Sequence, residues 1–389
     1  MSSPRSRSIA VGGAVIVVVA LLWWAMRSQP LPAARTDGDP SREGDRSGRD
    51  PNAQRPENNG NNTDAAAQAP SSDDASAGAR APQGQVIARA SWGSGADQLG
   101  HNRPQEANAE APMSQIVGPD GTIHVLDQVN RRIQRFSRDG RLLGSTPIGL
   151  LGAQDIALTR SGSYVVMDRL ADRTIAIVGQ DGREQGRLPI TGEHVERTGN
   201  VTGLFVDGND VLVEREHGPL VRVGDANGGD AQRREEVPGR PTRDGRAWMT
   251  AGITDQTEGR LYINVVARPS REHMYTRELR VAMETRALVM LDSDTRGVIY
   301  LGAVGTPRSA AGAQPIVPSS DGGSAASNER VLLLCIDGAT GRPIGQTTLP
   351  PNTSADETFR EFTVPDEGGV IYAVRDEQGV EYRRYDCRP

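Results

Sequence analysis

From Gln85 to the C-terminus the chain consists of short runs rich in Val, Ile, Leu, Tyr and Thr, separated by polar turns that contain glycine. Runs of this length, bounded by Asp-Gly and similar pairs, predict β-strands. The clearest unit is SQIVGPDGTIHVLDQVNRRIQRFSRDGRLLGSTPI, residues 114–148. It predicts a strand at Gln115–Val117, a turn at Asp120-Gly121, strands at Thr122–Leu126 and Arg132–Phe136, a turn at Asp139-Gly140 and a fourth strand through Leu143. The next unit repeats it: Asp127 returns as Asp168 and Arg132 as Arg173, each 41 residues on, and Asp139-Gly140 returns as Asp181-Gly182. A period near 40 residues that holds four strands is the mark of a propeller blade.

Later units diverge, but a glycine turn followed by an apolar run recurs at Gly121, Gly162, Gly208, Gly259, Gly322 and Gly368, which predicts six blades. The last unit, with strands at Arg360–Val364, Val370–Val374 and Val380–Tyr385, ends before a fourth strand. The unused run Gln85–Ser91 is predicted to supply that strand and close the ring, which removes open sheet edges.

Upstream the pattern changes twice. Ile9 to Met26 are 18 consecutive uncharged, mostly apolar residues, about the minimum for a helix across a ~30 Å hydrocarbon core. Trp23 and Trp24 fit an interfacial aromatic belt. The short basic tail, residues 1–8 with Arg5 and Arg7, predicts a cytoplasmic N-terminus, an anchor in the bacterial inner membrane and a periplasmic or otherwise extracytoplasmic domain. A cleaved signal peptide competes with this reading, but only Pro32-Ala33-Ala34 offers small residues near a cut. Residues 27–84 are rich in Pro, Ser, Asp, Asn, Arg and Ala and nearly devoid of large apolar side chains. They cannot bury enough surface to offset the entropy of ordering, so they are predicted to form a disordered linker. The expected organisation is all-β: one transmembrane helix, residues 9–26, the linker, and a six-bladed β-propeller, residues 85–389.

Composition narrows the chemistry. All 44 basic residues are arginine, which excludes the lysine of phosphate-binding loops and kinases and every Schiff-base mechanism. Residues 85–389 carry 35 Arg against 41 acidic residues, a balance that argues against general nucleic-acid binding, which depends on cations neutralising phosphates. With only Cys335 and Cys387, zinc ribbons and thiolate clusters are excluded. Both cysteines fall near third strands of blades 5 and 6, and an oxidising compartment permits a disulfide between them if the tail bends. The five histidines never come within metal-ligand spacing of each other, and no Gly-x-Ser-x-Gly elbow occurs.

Residues 91–140, with Trp92-Gly93-Ser94-Gly95, Pro112, Asp120-Gly121, Val125, Asp127, Asn130, Arg132-Ile133, Phe136 and Asp139-Gly140, resemble the NHL repeat. The resemblance is specific in the first unit, fair in the second and architectural beyond residue 200. It implies a six-bladed propeller of the broad TolB-like type, used by relatives to bind proteins, RNA or carbohydrate and in some cases for metal-dependent lactone hydrolysis or peptide lyase chemistry.

First strands line the channel of such a fold. Alignment on the first apolar pair puts Gln115, Asp155 and Glu361 just before Ile116, Ile156 and Phe362, in neighbouring blades 1, 2 and 6. Three such oxygen-bearing groups suit calcium and loosely resemble the metal centre of gluconolactonase-like propellers; the competing reading is a solvated mouth where they meet water or arginine. The lyase branch brings histidines to zinc, whereas Ala111-Pro112 stands here. The recurring pairs Asp127–Arg132 and Asp168–Arg173 are expected to form an ion pair or turn hydrogen bond inside each blade. Residues 268–286 are expected to be an insertion in blade 4, either a short amphipathic helix or an extended hairpin. Its Arg268, Arg271, His273, Arg277 and Arg280 are candidates for contact with an anionic partner, unless they serve a salt-bridged excursion. The expected function is a binding module for a protein, peptide or glycan of the cell envelope, with no nucleic acid and no cofactor beyond channel calcium; the alternative is a metal-dependent lactonase-like hydrolase or lyase.

Overall fold

The computed structural model describes residues 84–308, 329–352 and 356–388. The expected membrane span and residues 27–83 of the expected linker lie outside them, and among the described residues no helix is long and apolar enough to cross a membrane.

Six four-stranded antiparallel sheets surround a central channel. An N-terminal strand, β1 (Gln85–Ser91), precedes blade 1, which contains β2 (Ser114–Val117), β3 (Ile123–Asp127), β4 (Arg132–Phe136) and β5 (Leu142–Pro147). Blade 2 contains β6 (Asp155–Leu158), β7 (Tyr164–Asp168), β8 (Thr174–Val178) and β9 (Glu184–Pro189). Blade 3 holds β10 (Val201–Asp207), β11 (Asp210–Arg215), β12 (Leu220–Asp225) and β13 (Glu236–Val237). In blade 4 the strands are β14 (Arg240–Pro241), β15 (Ala247–Asp255), β16 (Arg260–Ala267) and β17 (His273–Arg280). Blade 5 has β18 (Met283–Ser293), β19 (Val298–Pro307), β20 (Arg330–Asp337) and β21 (Pro343–Leu349). Blade 6 is β22 (Phe362–Thr363), β23 (Val370–Arg375) and β24 (Gly379–Tyr385), completed on the outside by β1.

The ring therefore closes through the first strand, which pairs antiparallel with β24 from Gln85 opposite Arg384 to Ser91 opposite Gly379. Gly140, in the β4–β5 turn at φ +82°, lies so close to this strand that a Cβ there would stand 1.9 Å from the Ile87 carbonyl. A side chain is excluded by both sterics and backbone conformation. The chain end is fixed as well. Cys335 of β20 and Cys387, just beyond β24, form a disulfide with Cα atoms 5.7 Å apart. The tail bends onto blade 5, where a Cβ on Gly345 would meet the Cys387 carbonyl at 1.7 Å.

Two blade starts differ from the sequence reading. The first turn of blade 4 carries Gly245 and that of blade 5 carries Gly297, whereas Gly259 lies in the second turn of blade 4 and Gly322 lies outside the described residues. Blade 4 misleads because its innermost strand is only the two residues Arg240–Pro241, which form no apolar run. Residues 268–286 are correspondingly not an insertion. They form the β16–β17 turn, the outer strand of blade 4 and the beginning of β18. Of the two conformations expected, the extended one is present: Tyr275, Leu279, Val281 and Met283 are buried at a period of two.

Apolar clusters fill five of the six seams between blades, those joining blades 1 and 2, 2 and 3, 4 and 5, 5 and 6, and 6 and 1. Among the described residues the seam between blades 3 and 4 has no such cluster. Ion pairs cross it instead: Arg240 to Glu214 at 2.6 Å and Arg268 to Asp207 at 2.6 Å.

Of the two recurring pairs, Asp127–Arg132 is an ion pair, whereas Asp168 makes turn hydrogen bonds without Arg173. The buried Asp127 carboxylate accepts from Arg132 Nε at 2.8 Å, Asn130 Nδ2 at 2.9 Å and the Gly100 N–H at 2.8 Å. In blade 2 the corresponding turn is one residue longer, so Thr174 stands opposite Asp168 and Arg173 occupies the turn at φ +55°. Asp168 instead accepts the N–H groups of Gly152, Leu170 and Ala171.

Arg132 also donates to the Gly95 and Gln98 carbonyls, at 2.8 and 2.6 Å. Asp127→Ala should therefore strand a buried guanidinium and lower stability by roughly 3–5 kcal/mol. Calorimetry checks this, and an unchanged Tm would contradict it.

Candidate functional site

In an antiparallel meander the turns after the first and third strands share one end of the ring, while the turns after the second strand and the connections between blades share the other. The second end carries the mouth of a cavity of about 140 Å³. The cavity lies in the channel among blades 2 to 6, with Phe205, Met249, Leu288, Val289, Met290 and Phe362 among its walls. Three of the chain's four phenylalanines, Phe205, Phe359 and Phe362, line it.

Two arginines hold its charge. Arg360, in the connection entering blade 6, donates through Nη2 to Asp155 Oδ2 of blade 2 at 2.6 Å and to the Leu204 carbonyl of blade 3 at 2.7 Å. Asp155, fully buried, also accepts Ser114 Oγ at 2.6 Å and the N–H groups of Ile156 and Leu204, each at 2.9 Å. Arg240 of blade 4 donates from Nε and Nη2 to the two Glu214 oxygens, at 2.6 and 2.9 Å, and from Nη1 to the Leu291 carbonyl of blade 5 at 2.8 Å. Both guanidiniums lie 5.2 Å from the centroid of the Phe205 ring, a cation–π arrangement. Glu214 further accepts Thr202 Oγ1 at 3.0 Å, and His217 Nδ1 stands 3.6 Å from it. Burial raises the Glu214 carboxyl, but the Arg240 charge, the His217 contact and the hydrogen bonds outweigh it and hold the group at about 2.

The three residues expected to share a metal are not brought together. Gln115 and Glu361 line one small cavity between blades 1 and 6, and Asp155 lines the larger one. Gln115 Nε2 donates to the carbonyls of Glu361 and Ile371, and its Oε1 is buried with no partner among the described residues. Glu361 Oε1 accepts from Thr358 at 2.9 Å, from Asn352 and from the Arg375 guanidinium. The expected alignment is displaced by one residue. Ser114 opposes Leu126 and Asp155 opposes Met167, both 41 residues apart, so Ser114 is the true counterpart of Asp155. A slip of one along a strand turns every side chain to the opposite face. These donors do not suit a divalent cation, because Asp155 and Glu361 each face a guanidinium. Among the described residues no three His, Cys, Asp or Glu side chains are grouped to hold a metal.

The arginines of 268–280 lie away from this mouth, and each is engaged within the chain. Arg268 pairs with Asp207 and, with Arg271, packs over the Trp248 ring at 5.0 and 6.0 Å; Arg271 also pairs with Glu235. Along β17, His273 contacts Thr276 at 3.0 Å, Arg277 donates to the Thr340 carbonyl at 3.2 Å and Arg280 to Glu278 at 3.1 Å.

The fold defines the class: an all-β, six-bladed β-propeller with a cavity at one end of its channel. No protein-family model and no curated protein matches the chain. Among solved structures, a member of the DUF4221 family from Bacteroides vulgatus is similar over 79% of this chain and 99% of its own, at 10% identity and a TM-score of 0.46. A streptogramin B lyase is similar over 73% and 97%, at 11% identity and a TM-score of 0.38. For Kluyveromyces lactis Hsv2 with loop 6CD replaced by a Gly-Ser linker the values are 71% and 97%, 8% and 0.42.

The Glu214 carboxyl gives a pH dependence. A carboxyl whose folded value lies below its ordinary 4.5 contributes stability that is complete above 4.5 and lost as pH falls through about 2. Wild-type protein should lose roughly 3 kcal/mol from this group over that window, and Glu214→Gln should flatten the loss. Denaturant titrations from pH 5 to pH 2 measure it; superimposable pH profiles would rule it out.

Proposed function

We propose that this chain is a binding module: an NHL-type six-bladed propeller held outside the cytoplasm by the N-terminal segment Ile9–Met26, which receives an apolar segment of a cell-envelope protein at the channel mouth. The observation that carries this reading is the concentration of unmatched apolar surface at one end. Val289 in the cavity wall is 40% exposed, and Leu151 and Leu170 at the same end are 63% and 52% exposed. The two leucines are held in place on purely structural grounds, since the buried Asp168 carboxylate fixes the N–H of Leu170 and of Gly152, next to Leu151. Aliphatic side chains on loops over a rigid ring suit protein side chains better than sugar rings. The residues between the apolar segment and β1 have, as a flexible coil, a reach of about 40 Å, enough to let the ring meet a partner away from the bilayer. The alternative of a calcium-dependent lactonase-like hydrolase or lyase has no support in the donor set of the channel, where arginine already satisfies both carboxylates.

Capture of partners from solubilised envelope by the full-length chain tests the reading. Val289→Arg and Leu170→Arg, both at exposed positions, should leave the Tm unchanged and abolish capture of any stoichiometric partner. Capture retained by both variants would overturn the assignment of this face.

A further inference from the structure

The cavity at the channel mouth has a more specific chemistry than its apolar rim, and it deepens the binding-module reading on which it rests. We propose that it is a subsite for the C-terminal residue of a peptide that ends in an aliphatic side chain, with the free carboxylate on Arg360.

The cavity opens in the channel, where residues from blades 2 to 6 converge on it. Met249, Leu288, Val289, Met290 and Phe362 give it apolar walls on the side of blades 4 to 6. Cavities of about 150 Å³ take a molecule the size of benzene, so the roughly equal volume here accommodates one branched aliphatic group. The polar end of the same space is Arg360. Asp155 and the Leu204 carbonyl engage only Nη2, and its Nε and Nη1 have no partner among the described residues. Arg240 differs, because all three of its guanidinium nitrogens are used within the protein.

Arg360 is also immobilised before any ligand arrives, by the contact to Asp155 and by the face of Phe205 at 5.2 Å. A fixed guanidinium with unpartnered N–H donors beside an apolar wall favours a carboxylate, whose charge-assisted bonds are the strongest available to it. The acidic groups in the lining do not oppose this. Glu214 is matched by Arg240, Asp155 by Arg360 itself, and Asp292 by Arg243 at 3.1 Å.

The test uses the full-length chain with ¹³C-methyl-labelled methionine, titrated with N-acetyl-leucine and, separately, with N-acetyl-leucinamide. The acid should shift the Met249 and Met290 methyl signals saturably, leave those of Met167 and Met274 in place, and bind at least tenfold more tightly than the amide. Arg360→Gln should remove that preference. Because Arg360 also joins blades, Val289→Glu provides a variant that leaves the joint intact: it should weaken the acid about tenfold more than it weakens the amide. Equal binding of acid and amide, or a preference that survives both substitutions, overturns the carboxylate assignment. Absence of any shift at Met249 and Met290 with either probe overturns the subsite, whereas the wider reading of this face fails separately, if Val289→Arg and Leu170→Arg both still capture a partner.

Discussion

The interaction on which the channel depends is the pair of guanidiniums stacked over Phe205. Arg360 links blade 6 to blades 2 and 3, and its acceptor Asp155 also holds Ser114 of blade 1. Arg240 links blade 4 to blades 3 and 5. Between them the two arginines reach all six blades. Inner strands of a propeller converge on an axis where large apolar side chains from every blade would collide, so a polar joint solves a crowding problem. The planar fork of arginine suits that joint because it can bond along its edges while stacking on a ring, which a lysine ammonium cannot do with the same geometry.

Such a joint adds little net stability. Desolvating Asp155, Glu214 and their partners offsets most of the Coulomb attraction, yet removal of any one member leaves a buried charge uncompensated. The apolar seams supply the bulk of the favourable term, and the ion pairs determine which strand sits beside which. That division of labour explains how the seam between blades 3 and 4 can lack an apolar cluster and still close: Arg240–Glu214 and Arg268–Asp207 hold it from inside and from the turns.

The architecture was more legible in the sequence than the site. Blade 1 and the closing strand Gln85–Ser91 could be read because their apolar runs and Asp-Gly turns are regular. Blades 4 and 5 could not be phased, since β14 is two residues long and the pattern there begins with the second strand. The site was missed by a single residue. The 41-residue spacing that relates Asp127 to Asp168 also relates Ser114 to Asp155, and using it throughout would have placed these two at one level of the channel. Alignment on hydrophobicity alone gave Gln115, whose side chain points to the opposite face of β2. Arg173 shows the converse: a sequence repeat of Asp and Arg persisted, while one extra residue in the turn placed Thr174 where Arg132 stands in blade 1. Arg360 and Arg240 carried no local signal, because their partners are 205 and 26 residues away.

The absence of lysine gains a physical reading from this arrangement. Inside the ring arginine serves as a joint, at Arg132, Arg240 and Arg360, where several acceptors must be held by one cation. On β17 and its turn Arg268, Arg271 and Arg280 pair with carboxylates and Arg277 with a backbone carbonyl. Arg360 is held by one nitrogen, lines the cavity, and has no partner for Nε and Nη1 among the described residues. In a chain with 44 arginines, a cation whose geometry is fixed while hydrogen bonds remain to be made says more about ligand binding than the local density of charge.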